Sequence, residues 1–257
     1  MKISDQGVRW ALLITLIVAS TASYAQGSAG SGGKFEPRFL VDMPTAGMQD
    51  KGTFALDVNF YQEGGVLLGF SVGVFDRLSL GVAYGGSAMI GPHAPVMNDV
   101  PGFSAKVRLI EESVLLPAIA LGFDSQGKDG YIKEASRYVI KSPGFYAVAS
   151  KNYSLAGFLS IHGGVNYSLE RADGDRDING FVGAEKTIGP FVSVIVEYNL
   201  ASNDNTRGKG RGYLNAALKW SISGGLTLGV NFKDLAMNGK NATVANRTVI
   251  LEYVRFF

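Results

Sequence analysis

The sequence predicts an all-β fold: an antiparallel, transmembrane, up-and-down β-barrel of about twelve strands after a cleaved signal peptide. Three observations carry that prediction. Apolar residues recur with a period of two, short turns alternate with long polar loops, and the first 25 residues are laid out as an export signal.

The export signal has Lys2 and Arg9 as its basic region, then the apolar run "WALLITLIV" from Trp10 to Val18. Ser23 and Ala25 are the small residues of a cleavage site ahead of Gln26. A membrane-spanning helix needs about 20 apolar residues; this run is shorter, and no later stretch approaches that length. An exported chain of this kind is either soluble or a membrane barrel, because only helices and closed barrels satisfy their backbone in lipid. The chain has no Cys, so no disulfide staples it. Its formal charge of +2 falls towards neutral when Lys2, Arg9 and Asp5 are removed, which excludes a strong field for nucleic acid. "QGSAGSGGK" at 26–34 has linker composition. Residues 26–50 are therefore expected to be a flexible periplasmic segment, and residues 51–257 the barrel.

The strands follow in order. In "TFALDVNFY" Phe54, Leu56, Val58 and Phe60 share a face, with Asp57 and Asn59 on the other. "VLLGFSVGV", "LSLGVAY" and "FSAKVRL" alternate in the same way. Further strands are expected near 114–124, 143–152, 154–168, 178–188, 190–200, 212–222, 226–233 and 248–257. Tight turns are expected at Asp76-Arg77, 111–113, 152–154, Gly189-Pro190 and 223–225. Long polar loops are expected at 86–101, 125–142, 169–177, 201–211 and 234–247; the short "QEGG" at 62–65 breaks the rhythm. An even strand count puts both ends of the barrel on the short-turn side, the periplasm of a Gram-negative envelope.

A secreted sandwich or lipocalin-like barrel would also alternate, but its polar face would be solvated. Here that face is mostly Gly, Ala and Ser, and Gly is abundant at 34 residues. Such a face suits a lumen better than a water-facing exterior. The last strand, "VILEYVRFF", sets Val249, Leu251, Tyr253 and Phe257 on one side. Tyr253 and Phe257 are therefore expected to form the terminal signal read by the barrel assembly machinery. Arg255 on that face is tolerable near the interface, where an Arg costs about 0–1 kcal/mol, against about 2–4 kcal/mol at the midplane.

One region goes beyond barrel grammar. "DMPTAGMQDKGTFALDVNFY", "LLGFSVGVFDRLSLGVAYGG", "PGFSAKVRLIEESVLLPAIALGFDSQG" and "YAVASKNY" follow one another. Their order and spacing resemble the YjbH-type exopolysaccharide-associated outer-membrane proteins over about residues 42–155, in a short, single-barrel form. The resemblance implies cell-envelope polysaccharide biology and possible partners among exopolysaccharide export components. It supplies no catalytic residue.

With the apolar sets facing lipid, Asp57, Asn59, Lys106, Arg108, Glu185, Glu197, Lys219 and Glu252 are expected to line the lumen. Lys106 and Arg108 share a face as a basic patch, and Glu197 and Lys219 are placed to pair from neighbouring strands. Lumen charges either tune a pore or simply fill it. Ser160 and His162 share a strand face, but no third group to orient the histidine is evident; His93 reads as a loop residue. "DGDRDING" at 173–180 imitates the start of a calcium loop, but Ile178 stands where Gly is expected and Ala184 where a bidentate Glu belongs. No catalytic, cofactor or metal site is expected. The reading is a monomeric outer-membrane barrel in contact with lipid and lipopolysaccharide, serving as a passive or accessory porin-like pore. The alternatives are a structural barrel with a filled lumen and an enzyme acting on lipid or glycan.

Overall fold

The computed structural model describes residue 29 and residues 31–205, 208–209, 211–240 and 242–257. The export signal predicted over 1–25 lies outside the described residues. The strands are β1 Thr53–Tyr61, β2 Gly65–Phe75, β3 Leu78–Ser87, β4 Val96–Met97, β5 Gly102–Ile110, β6 Ala118–Asp124, β7 Lys128–Ile132 and β8 Arg137–Ile140. They continue with β9 Gly144–Ser154, β10 Phe158–Tyr167, β11 Asn179–Ile188, β12 Val192–Asn199, β13 Tyr213–Ser223, β14 Leu226–Lys233 and β15 Asn246–Phe256.

Twelve of these strands close into an antiparallel barrel. Each pairs with its neighbour in sequence, and the ring is sealed by β1 against β15, from Thr53 opposite Phe256 to Phe60 opposite Val249. The short β4 extends the edge of β3, and β7 and β8 form a separate hairpin within the 125–143 connection. The predicted barrel and its twelve strands are borne out. The sequence reading missed the β7–β8 hairpin and set two strand starts too early. Residues 113–116 form a turn closed by Ser113 N–H on the Leu116 carbonyl, so β6 begins at Ala118. The next turn falls at 155–157 rather than 152–154, where Ala156 and Gly157 take positive φ (44° and 97°).

The two faces settle which way the barrel is turned. Leu68 (55% exposed), Phe103, Leu121, Val182 and Leu218 point outward, while Lys106, Glu185, Asn215 and Lys219 are buried inside. A water-soluble barrel would reverse that arrangement. An apolar exterior around a polar interior is the pattern of an outer-membrane barrel. At the short-turn rim Phe54 stacks outside with Phe70 and Phe257 and meets Tyr253 edge-on, with centroids 5.8–6.4 Å apart.

Candidate functional site in the lumen

Residues 36–49, just ahead of β1, lie inside the barrel. Ser31 and Gly32 donate to the carbonyls of Gly189 and Pro190 in a short turn, and the Phe35 ring lies 5.8 Å from that of Phe256. From Glu36 the chain enters the lumen and folds back as a tight hairpin. Thr45 N–H bonds the Arg38 carbonyl and Leu40 N–H bonds the Met43 carbonyl. The expected flexible periplasmic segment over 26–50 is thus corrected for residues 36–49. Leu40, Met43, Ala46 and Met48 are all buried, and burying a Leu or Met side chain contributes about 1.5–3 kcal/mol. Apolar burial and fixed hydrogen bonds outweigh the linker-like composition just ahead of them.

Five of the eight predicted lumen residues, Asp57, Lys106, Arg108, Glu197 and Lys219, grip this hairpin. Arg38 forks onto Asp57, with Nη1 2.9 Å from Oδ2 and Nη2 2.5 Å from Oδ1. Lys106 Nζ donates to three hairpin carbonyls, those of Arg38, Thr45 and Gly47, at 2.9–3.2 Å. Arg108 pairs with Glu36 and bonds the Ala46 carbonyl. Glu197 Oε2 accepts the backbone N–H groups of Val41, Asp42 and Met43, while its Oε1 accepts from Asn215. Lys219 lies 3.3 Å from Glu252 and 3.4 Å from the Phe39 carbonyl. The expected Glu197–Lys219 pair does not form, because the register sets Asn215 opposite Glu197 and Ser193 opposite Lys219. Asn59 is buried beside a cavity of about 90 Å³ between the hairpin and the wall, and Glu185 faces the interior opposite Ser160.

The sequence reading missed the hairpin residues themselves and the way its tip is fastened. Asp42 Oδ1 lies 2.7 Å from Lys233 Nζ, which also reaches Asp129 at 3.1 Å in the 125–143 connection. These groups border a cavity of about 500 Å³ towards the long-loop rim. Above it, buried Arg137 binds Asp173 and Asp204 at 2.7 Å each, Lys141 binds Asp173 at 2.8 Å, and Tyr213 donates to Asp204. The loops 125–143, 169–177 and 201–211 are thereby tied together. Burial pushes the Asp173 carboxyl up, but hydrogen bonds from Lys141, the Asp175 backbone and Arg137 outweigh it. They hold that carboxyl below its ordinary value of 3.8. The calcium-like spacing at 173–177 is therefore used differently: Asp173 answers two cations of the chain, and Asp175 accepts the Asn205 N–H.

Ser160 and His162 are on one inner face but are not joined. Ser160 donates to Asn152, whereas His162 Nδ1 lies 2.7 Å from Ser150 Oγ, which accepts the Ala46 N–H of the hairpin. Among the described residues no group of three His, Cys, Asp or Glu side chains is arranged to hold a metal.

Residues 33–156 match the family model described as YjbH, exopolysaccharide biosynthesis protein YbjH. The resemblance read from the sequence is borne out, and the match includes the whole lumen hairpin. No curated protein matches the chain. Two similar solved structures are a KdgM porin and the same porin in complex with disordered oligogalacturonate. Each is 10% identical with a TM-score of 0.51, covering 80% of this chain and 99% of the other. At that identity the likeness shows a porin-like barrel fold and nothing finer.

Proposed function

We propose that the protein sits in the bacterial outer membrane as an accessory barrel of exopolysaccharide production, closed at rest by its own N-terminal hairpin. The observation that carries this reading is the hairpin Arg38–Thr45, held by the same charges that would line an open pore. Passage then requires the hairpin to leave. When it does, Lys106 loses all three carbonyl partners and Arg108 loses Glu36 and Ala46. That exposes a basic pair on β5 to a passing chain. An acidic glycan suits such a pair, and the KdgM porin named above is seen in complex with oligogalacturonate. The hairpin also covers Ser150 and His162, which favours a conduit or envelope component over an enzyme. In this setting the barrel assembly machinery and lipopolysaccharide are its general partners, and polymer export components its specific ones.

Planar-bilayer conductance tests the proposal. The full barrel should be nearly silent, and a chain lacking residues 36–49 that still shows a heat-dependent shift in SDS gels should conduct in stable steps. A full chain that conducts as strongly as the deletion would overturn the closed state. Loss of polymer from cells lacking the protein, restored by the intact gene, would support the envelope role; unchanged polymer would count against it.

A further inference from the structure

We propose that the connection between β5 and β6, residues 111–117, is a membrane-embedded foot whose Val114-Leu115-Leu116 tip contacts the acyl chains and glycerol region of the inner leaflet. This rests on the reading of the barrel as an outer-membrane protein. The other turns at this rim, such as Asp76-Arg77, 155–157 and 189–191, are brief, and the last two each present a single large exposed apolar residue, Leu155 and Phe191. This one is longer, and its three apolar residues are 51%, 87% and 55% exposed.

Lys151 fixes the direction of the foot. Its neighbours Ser150 and Asn152 are buried inside, so strand alternation puts Lys151 on the outer face, paired with outward-pointing Ile161. An ammonium there faces lipid unless something covers it. The turn does so: Lys151 Nζ donates to the carbonyls of Ser113, Val114 and Leu116 and lies 3.5 Å from Glu112. The Val114–Leu116 tip therefore folds outward over the barrel wall, while Glu112 reaches back to the Asn152 side chain. Part of its polar surface is satisfied within the chain. Ser113 N–H bonds the Leu116 carbonyl, Leu116 N–H bonds Ser113 Oγ, and Glu112 accepts from the Asn152 backbone. Carbonyls turned towards lipid need partners inside the chain, and the Lys151 ammonium supplies them for Ser113, Val114 and Leu116. The tip also continues the apolar exterior of Leu109, Ile110 and Leu121. Lipid rather than a protein groove is the occupant that fits this continuity.

The test uses depth-resolved fluorescence of the folded full-length chain in phosphatidylcholine vesicles. Trp10 and Trp220 are replaced by Phe, and Leu115→Trp or Leu116→Trp is added singly; Leu121→Trp marks the mid-wall. The Leu115→Trp emission should be blue-shifted, should be quenched by lipids brominated near the headgroup, and should resist aqueous acrylamide. Leu121→Trp should be quenched best by deeply brominated lipids. If Leu121→Trp is quenched by lipid but both foot variants emit as in water and yield to acrylamide, the foot is overturned while the barrel stands, and a periplasmic protein becomes the occupant. If Leu121→Trp is also untouched by lipid, the membrane reading fails and the foot fails with it.

Discussion

One oxygen of Glu197 holds Met43: Oε2 lies 2.9 Å from the Met43 backbone nitrogen, and the same oxygen takes the N–H groups of Val41 and Asp42. A carboxylate on β12 thus gathers three successive amides at the tip of a hairpin more than 150 residues away in sequence. Removing it leaves three enclosed donors unpaired, at about 1–3 kcal/mol each. Glu197→Ala should therefore raise the open fraction about tenfold or more, and Glu197→Gln, which keeps an acceptor, should raise it less. The chain has no native Cys, so a Met43→Cys variant reports the outcome directly. Its maleimide labelling should be slow alone and fast beside Glu197→Ala. Equal rates would sink the assignment.

Gly73 on β2 has no room for a methyl group. An added Cβ would stand 2.1 Å from the Asp50 carbonyl oxygen and 2.7 Å from that of Gln49. Gly73→Ala should displace the return limb of the hairpin at an overpacking cost of about 1–3 kcal/mol. Gly163→Ala, where the nearest atom is 3.8 Å away, should change nothing. The checks are conductance and Met43→Cys labelling, and identical behaviour of the two variants would show that the hairpin does not need the space.

Arg137 is the knot of the loop layer. Taking it away leaves Asp173 and Asp204 without a central cation, and breaking such a buried pair costs about 3–5 kcal/mol. Arg137→Ala should expose loops 125–143 and 169–177 to protease on intact cells while the barrel keeps its heat-dependent gel shift. The pH dependence follows from Asp173, whose carboxyl is held below 3.8. Its contribution is fully present above the ordinary carboxylate value and is lost as pH falls through the lowered one. Loop protection should persist at neutral and mildly acid pH and fade only below about 3.8. Protection lost already at pH 6 would point to another group.

Phe257 closes the ring cluster with Phe54, and its N–H bonds the Gly52 carbonyl. An aromatic pair contributes about 0.5–1.5 kcal/mol beyond its area. Removing Phe257 should cost little once the barrel has formed but should lower the fraction that reaches the heat-modifiable form in cells. Phe257→Tyr should restore it. Full assembly of the truncated chain would remove the terminal-signal role.

The barrel was legible because its signal is local and repeated. Period-two alternation in "TFALDVNFY" already separates Asp57 and Asn59 from Phe54 and Leu56, and the inward set followed from it residue by residue. The partners did not follow. Register decides whether Lys219 meets Glu197 or Glu252, and a single strand does not encode its register. The hairpin was hidden for another reason. Its grip on the wall comes from pairs such as Asp42–Lys233, far apart in sequence, and the residues just before it have a linker's composition. One local clue was available: the Gly and Ala residues of the inner face. Gly73 and Gly183 are small because the chain's own backbone and the Leu40 side chain occupy the space beside them. A bland inner wall is a sign of something packed against it.

The seam between β1 and β15 joins the beginning of the barrel to its end, and the hairpin lies immediately upstream of that beginning. Pairing of such distant segments is the slow step expected from loop-closure entropy. The chain therefore wraps around its own leading segment and seals only when the last strand arrives. On the proposed closed state, the hairpin is then enclosed in the same event that completes the wall, and no later factor has to insert it.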